Sequence, residues 1–184
     1  ELVSAPVDPA RHAEAIASAR NIDALVAANY AAHKIEPMPS ASDATFVRRI
    51  HLDIAGRIPT YQETVRFLRS NDPDKRTKLI DALLGSDDYA SHFFNFWADI
   101  LPYKDTPFPG LMGLPYRQWI MRSLAENEHW DTIVRAMLAS EGLPYEVPAT
   151  LYLQRYRYMP LDTVNDTVRV FLGTRVGCAQ CHDH

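Results

Sequence analysis

Helix start and stop signals recur at short intervals along this sequence, and they restrict its possible folds more than any other feature. Thr60 and Glu63 form a capping box, and Gly85 and Gly173 stand where helices should stop. Between such signals the apolar side chains repeat with the 3.6-residue period of an α-helix. Few stretches alternate apolar and polar residues, so we expect no strands beyond short pieces. The pattern predicts an all-α fold, a single multi-helix domain over residues 1–184.

The same signals give approximate helix positions. We expect a first helix over 10–32, a second from Ser42 or Asp43 to about Gly56, and a third after Thr60. A fourth should run from Asp72, with Pro73 in its first position, to Gly85, and a fifth should begin at Ser86 or Asp87. Two more should begin at Pro115 and at Asp131, and the last should run from Asp162 to Gly173. Residues 1–20 are predicted to be an N-terminal extension or part of the first helix. The aromatic, proline-punctuated stretch 142–160 is longer than an ordinary connection, so we predict a functional loop there.

The two cysteines of the chain both lie in one short segment, Cys178-Ala179-Gln180-Cys181-His182. Cys-x-x-Cys-His is the attachment signature of a c-type haem. Each thiol can form a bond with one vinyl group of the porphyrin, and the adjacent imidazole of His182 can bind the iron as proximal ligand. The motif therefore predicts one covalently attached haem c, placed just after the last helix.

Two other uses of the same side chains are open. Cys178, Cys181, His182 and His184 could together bind zinc, since thiolate and imidazole both suit that ion. Adjacent residues such as Cys181 and His182 rarely both fit one tetrahedron, however. A thioredoxin-like dithiol would follow a strand, and the pattern that precedes this motif is helical. Haem attachment is therefore the favoured interpretation.

The sixth ligand of the iron is less well defined by the sequence. Met159 is the first candidate, because it lies in the irregular segment before the last helix and Pro160 stiffens its backbone. His51, His92 and His129 are each more typical of structural histidines. A five-coordinate iron with an open site, as in a haem enzyme, is a further alternative.

His184 cannot reach the opposite face of the same haem, because only one residue separates it from His182. One alternative is that His184 is simply solvated. The other is that it is supplied to a neighbouring molecule, as an iron ligand or as a propionate contact. In the second case the chains would form a homo-oligomer or polymer with aligned haems.

Aromatic and basic side chains near the motif could hold the porphyrin. Flat apolar walls could come from Trp97, Trp119, Trp130, Phe171, Tyr152, Tyr156 and Tyr158. One propionate contact is expected from Arg155, Arg157 and Arg175. From these two sets, Tyr156 and Arg175 are our candidate cofactor-binding residues.

Composition excludes some function classes. The formal charge is −4 and no basic block stands out, so nucleic acid is not an expected partner. No apolar run reaches the roughly 18 residues of a membrane-spanning helix. The sequence begins at Glu1 without a charged leader, and haem is attached after export, so we expect a removed signal peptide and a periplasmic or extracellular location.

Three stretches resemble a known family: FVRRIHLDIAGRIPT at 46–60, FNFWAD at 94–99, and a C-terminal stretch with MPLD at 159–162, VFLGTR at 170–175 and CAQCHDH at 178–184. From about residue 22 to 184 the chain is similar to domain of unknown function 1549, the second of the planctomycete cytochrome-associated domains. The resemblance implies an exported helical protein associated with c-type haem chemistry in large multidomain proteins. Members usually continue past the His-Asp-His segment into a Pro-Phe-Asp stretch, whereas this sequence stops there.

These observations predict an exported monohaem c-type cytochrome that carries electrons and is not itself expected to be an enzyme. Its redox partner protein is not indicated by the sequence. The alternative is a zinc-binding or structural interaction domain of a larger exported enzyme.

Overall fold

The computed structural model describes residues 8–101, 103–107, 110 and 112–182. Every regular element in that part of the chain is helical, which confirms the predicted all-α fold class. The α-helices are α1 (Pro9–Ala32), α2 (Asp43–Ile50), α3 (Tyr61–Arg69), α4 (Lys75–Leu84), α5 (Asp87–Ile100), α6 (Leu114–Ala125), α7 (Trp130–Ala139), α8 (Leu151–Gln154) and α9 (Pro160–Leu172). A π-helix (His51–Ala55) extends α2, and two short 3₁₀-helices span Pro148–Thr150 and Gly177–Gln180. None of the described helices is both long and apolar enough to cross a bilayer.

The first helix is held by local interactions alone. The Asp8 side chain accepts a hydrogen bond from the backbone N–H of Ala10, and Pro9 occupies the first turn. Both features suit a helix start. No side chain of α1 is buried. The predicted helix over 10–32 is therefore confirmed, and it contributes nothing to the hydrophobic core.

Helix caps and ion pairs hold together the segment from α2 to α5. The capping box at Thr60 and Glu63 forms both of its hydrogen bonds. Arg57 donates to both carboxylate oxygens of Glu63, at 2.8 and 2.9 Å, and to Asp88 Oδ2 at 2.6 Å. Gly56 ends the π-helix with φ +67°, and a Cβ there would lie 2.3 Å from Nδ1 of His92. Only glycine permits this close approach.

The main core lies between α5, α6, α7 and α8. Its buried members are Phe94, Leu101, Tyr116, Ile120, Ile133, Met137, Leu151 and Tyr152. Part of the stretch 142–160, predicted to be a functional loop, contributes to this core. Residues 149–152 are buried in the short 3₁₀-helix and α8. That prediction was wrong for these residues, because their side chains fill the space against α6 and α7.

Several predicted helix starts differ from the structure. The α4 helix begins at Lys75 and not after Asp72, because the Asp72 side chain accepts from the N–H of Asp74 at 2.9 Å and forms a turn first. The α7 helix has His129 at its N-cap, two residues before Asp131. The α9 helix begins at Pro160, ahead of the predicted cap at Asp162. Proline suits the first helical position because its fixed φ is already helical.

Candidate functional site

The Cys-x-x-Cys-His motif forms a single helical turn after α9. The carbonyl oxygen of Cys178 accepts hydrogen bonds from the backbone N–H groups of Cys181 and His182, both at 3.1 Å. In a helical turn, residues three and four apart lie on the same side. Cys178, Cys181 and His182 therefore belong to one hydrogen-bonded turn.

At Gly177 this turn comes close to Asn165, in the middle of α9. A Cβ at Gly177 would lie 2.8 Å from Oδ1 of Asn165, closer than a real Cβ contact. Glycine immediately before Cys178 thus allows the motif to approach the helix. We call the two together, α9 and the turn Gly177–His182, the motif edge.

The α9 face that carries Asn165 also carries apolar side chains. Leu161, Val168 and Leu172 stand at helical intervals from Asn165, on the same stripe of the helix. Leu161 is 60% exposed and Leu172 is 72% exposed. The motif edge therefore presents apolar surface beside the motif.

The donor set of the motif fits a c-type haem. Cys178 and Cys181 are both free thiols and both exposed, and His182 is exposed beside them. Thioether formation requires accessible thiols, and iron ligation requires an unburied imidazole nitrogen. The apolar stripe of α9 supplies surface that a porphyrin ring could cover. The residues present thus suit the group that the motif implies.

Met159 lies at the far end of the motif edge. It is the N-cap of α9 and 52% exposed, and its N–H donates to the carbonyl of Tyr156 at 2.7 Å. At a rise of 1.5 Å per residue, its Cα lies about 9 Å along the helix axis from Asn165. The structure records no hydrogen bond between Met159 and the motif. Its role as sixth ligand stays a prediction.

Tyr156 and Arg175 have different environments. Tyr156 is buried, and its hydroxyl donates to the Asp166 carboxylate of α9. Burial, and then this hydrogen bond, raise the pKa of Tyr156. This hydrogen bond therefore joins the segment that follows α8 to α9. Arg175 is exposed between α9 and the motif turn, and no ion pair involves it among the described residues.

Two buried side chains with potential ligand atoms have structural roles. His51 is 1% exposed, with Nδ1 2.8 Å from the carbonyl oxygen of Val47. Met137 is fully buried, and the Tyr116 hydroxyl donates to its sulfur at 3.2 Å. Both side chains are satisfied within the core.

The aromatic side chains predicted as porphyrin walls mostly pack on one another. Ring centroids are 4.2 Å apart for Trp97 and Trp130, 6.1 Å for Trp130 and Phe171, and 5.8 Å for Phe171 and Tyr152. The cluster joins α5, α7, α8 and α9. It anchors the motif edge to the core, with Trp130 still 40% exposed.

Sequence reasoning did not identify Asn165 as part of the site. The only signal was Gly177, a small residue directly before the motif, which often marks close backbone approach. Its partner on α9 could not be read from the sequence, because Asn165 lies twelve residues earlier on the opposite side of a chain reversal.

The zinc interpretation gains no geometric support. Within the described ranges, no group of three or more His, Cys, Asp and Glu side chains is arranged to hold a metal ion. His184, the fourth member of the zinc set and the proposed donor to a neighbouring molecule, lies outside the described residues.

Comparison with known proteins yields one match. A family model described as PSCyt2, protein of unknown function (DUF1549), matches residues 21–184. No curated protein matches the chain, and no solved structure matches it. An activity must therefore be argued from the residues themselves.

Proposed function

The chain belongs to the PSCyt2 family of proteins of unknown function, and from this premise we propose that it is a monohaem c-type cytochrome that carries one electron at a time. Cys178 and Cys181 would hold haem c through thioether bonds, and His182 would be the proximal ligand of the iron. One observation carries the proposal: two free, exposed thiols share one turn with an exposed imidazole. When bound, the haem supplies reversible one-electron chemistry.

The chain's own residues would position and shield the cofactor. The close contact between Gly177 and Asn165 keeps the motif turn against α9. The exposed side chains of Leu161, Val164 and Leu172 offer apolar surface that excludes water. Burial and hydrogen bonding around a haem set its reduction potential, so these side chains are the means of adjusting it.

Two further residues complete the proposed site. Arg175 is an exposed cation directly before the motif turn, and a guanidinium pairs well with a carboxylate, so it would contact a haem propionate. Met159 would be the sixth ligand. A thioether ligand raises the potential relative to a second histidine.

The proposal includes a location and an assembly. Covalent haem attachment takes place after export, so the protein would act in the periplasm or outside the cell. As the alternative to Met159, His184 would supply the sixth ligand to the iron of a neighbouring copy and align haems in a chain. His184→Ala should then abolish assembly, measured by light scattering, while haem attachment is unchanged; unaltered assembly would contradict this part.

The test of attachment uses the full chain, exported in a host that matures c-type cytochromes. We expect the intact mass to increase by one haem, with a pyridine haemochrome spectrum typical of haem c and the haem retained after denaturation. The Cys178→Ser/Cys181→Ser protein should lose all three signals. His182→Ala should keep the covalent haem and change the spectrum, because the thiols remain.

The alternative, a zinc-binding or structural domain of a larger exported enzyme, has a distinct outcome in the same preparation. One zinc per chain without iron would replace the cytochrome proposal. An exported protein that carries neither metal and shows no added mass would refute both metal sites and leave an interaction domain.

A further inference from the structure

A second site of potential chemistry lies away from the motif, in a small cleft between α6, α8 and the segment after α5. The cleft is lined by Leu101, Tyr103, Lys104, Pro107, Gly113, Tyr116, Leu151, Tyr152 and Arg155. Its cavity volume is about 10 Å³, which is room for one water molecule or one oxygen atom. We call it the Arg155 cleft.

Arg155 has an unsatisfied buried donor in this cleft. Its Nη1 is buried and has no hydrogen-bond partner among the residues that the structure describes. Its nearest recorded electrostatic contact is the ring of Tyr156, 5.3 Å from Cζ. A guanidinium stays charged in any protein environment, and a buried donor on it without an acceptor is unfavourable. Arg155 is otherwise partly exposed, and an anion is the acceptor that a guanidinium binds most strongly.

The polar groups nearby do not supply that anion. The hydroxyl of Tyr103 donates to Asp105 at 2.8 Å, and that of Tyr116 donates to the sulfur of Met137 at 3.2 Å. Burial raises the pKa of Tyr103 to about 12 and also raises that of Tyr116, so both phenols are neutral near pH 7.

Two cationic side chains, Arg155 and Lys104, line the cleft, and Asp105, bonded to Tyr103, lies beside it. Arg117, Asp166 and Arg169 also act electrostatically on the tyrosines that line it. Lys104 is exposed, at the mouth of the cleft, while the walls are aromatic and aliphatic.

We infer that the Arg155 cleft binds an organic carboxylate. One carboxylate oxygen would occupy the cavity and accept from Arg155 Nη1, the second would face Lys104, and the carbon chain would lie on the apolar rim. The cleft is formed by the protein alone and can be tested in the haem-free chain, so its failure and the failure of the cytochrome proposal are separate results.

The test measures thermal unfolding of the full-length protein in acetate and in chloride at equal ionic strength. A ligand that binds only the folded state raises Tm with concentration. We expect acetate to raise Tm in a saturable manner and chloride to have no such effect. Sulfate, a dianion, should stabilise less than acetate; equal stabilisation by sulfate or chloride would contradict a carboxylate site.

Variants assign the effect to the cleft. Arg155→Met should remove the acetate response, a loss of about tenfold or more in affinity because a charged hydrogen bond is lost. Without acetate it should be no less stable than the wild type, since an apolar side chain replaces a buried donor without an acceptor. Arg157→Met, an exposed arginine beside the ring of Tyr158, is the matched control and should keep the response.

A further variant covers the case in which Arg155→Met does not fold. Lys104→Gln, at the exposed mouth, should weaken acetate binding by up to about fivefold, the range of an exposed ion pair. An unchanged response in Lys104→Gln, or a normal response in a folded Arg155→Met, would each overturn the inference.

The same titration identifies the source of the carboxylate. If the occupant is a free small acid, acetate should stabilise both the haem-loaded and the haem-free protein. If a carboxylate of the haem itself fills the cleft, only the haem-free protein should respond. No response in either form would refute the site.

Discussion

The central core and the motif edge are built in opposite ways. In the core, Met137, Tyr152 and Leu101 are at most 1% exposed, and the Met137 sulfur and the Tyr152 hydroxyl are hydrogen-bonded. In α9, thirteen residues long, no residue is buried, and the motif that follows is exposed. The comparison suggests that the fold does not depend on the reactive residues. A stable scaffold can then present thiols to a cofactor that arrives after folding.

The largest effect is expected from truncating a methionine in the core, compared with truncating one in the motif edge. Met137→Ala should lower the free energy of unfolding by about 2–5 kcal/mol, because it leaves a cavity and removes the acceptor of the Tyr116 hydroxyl. Met159→Ala, at the half-exposed N-cap of α9, should change it by less than about 0.5 kcal/mol in the haem-free protein. Urea unfolding measures both. Similar losses of unfolding free energy in the two variants would contradict the contrast between a buried core and an exposed motif edge.

The next effect concerns the contact that joins the motif turn to α9. Gly177→Ala should destabilise the turn by about 0.5–1.5 kcal/mol, because the new Cβ displaces the amide end of Asn165 from its rotamer. Amide hydrogen exchange at Cys181 should become faster, while exchange in the core is unchanged. Shortening the partner, in Gly177→Ala/Asn165→Ala, should restore protection. A Gly177→Ala protein with wild-type exchange would show that the contact does not hold the motif.

A smaller effect is the dependence of stability on pH that comes from the ion pair of Arg57 and Glu63, which lies outside the motif edge. The Arg57 guanidinium, followed by hydrogen bonds at Thr60, holds the pKa of Glu63 well below its usual range. Its stabilisation is therefore present above the unfolded pKa of about 4.3 and is lost as pH falls below it. Both side chains are about one-third exposed, so we expect about 1 kcal/mol or less.

Glu63→Gln should remove that part of the acid sensitivity, measured as the difference in unfolding free energy between pH 6 and pH 3. Glu126→Gln, at the exposed end of α6, is the matched control and should leave the pH slope unchanged. Equal slopes in wild type and Glu63→Gln would contradict the assignment.

The smallest effect is on the motif itself. Cys178→Ser in the haem-free protein should change the free energy of unfolding by less than about 0.5 kcal/mol, since the side chain is exposed and unbonded. A large loss would mean that the thiol is part of the folded scaffold, and the contrast between the two regions would fail.

The sequence predicts those features that depend on residues close to one another along the chain. The capping box at Thr60 and Glu63 formed as expected because both hydrogen bonds stay within one turn. The start of α4 was misplaced because Asp72 forms its own turn, a competition between two local structures. The Cys-x-x-Cys-His pattern also lies within one turn, and its haem chemistry stays a prediction.

What could not be predicted depends on contacts between distant segments. The burial of Tyr152 follows from packing against α6 and α7, and the sequence around it resembles an irregular loop. The approach of Gly177 to Asn165 and the unpaired Nη1 of Arg155 appear only after helices are assembled. Local patterns carry no information about which segments meet.

The isolation of α1 affects how unfolding should be observed. The helix is about 36 Å long at 1.5 Å per residue, and no burial couples it to the rest of the chain. Its helix–coil equilibrium should therefore be gradual and independent of the cooperative transition. The three tryptophans all lie beyond it, at residues 97, 119 and 130, so fluorescence would report a sharp transition while circular dichroism slopes across a wide temperature range. A single two-state fit would then misjudge the enthalpy of the domain.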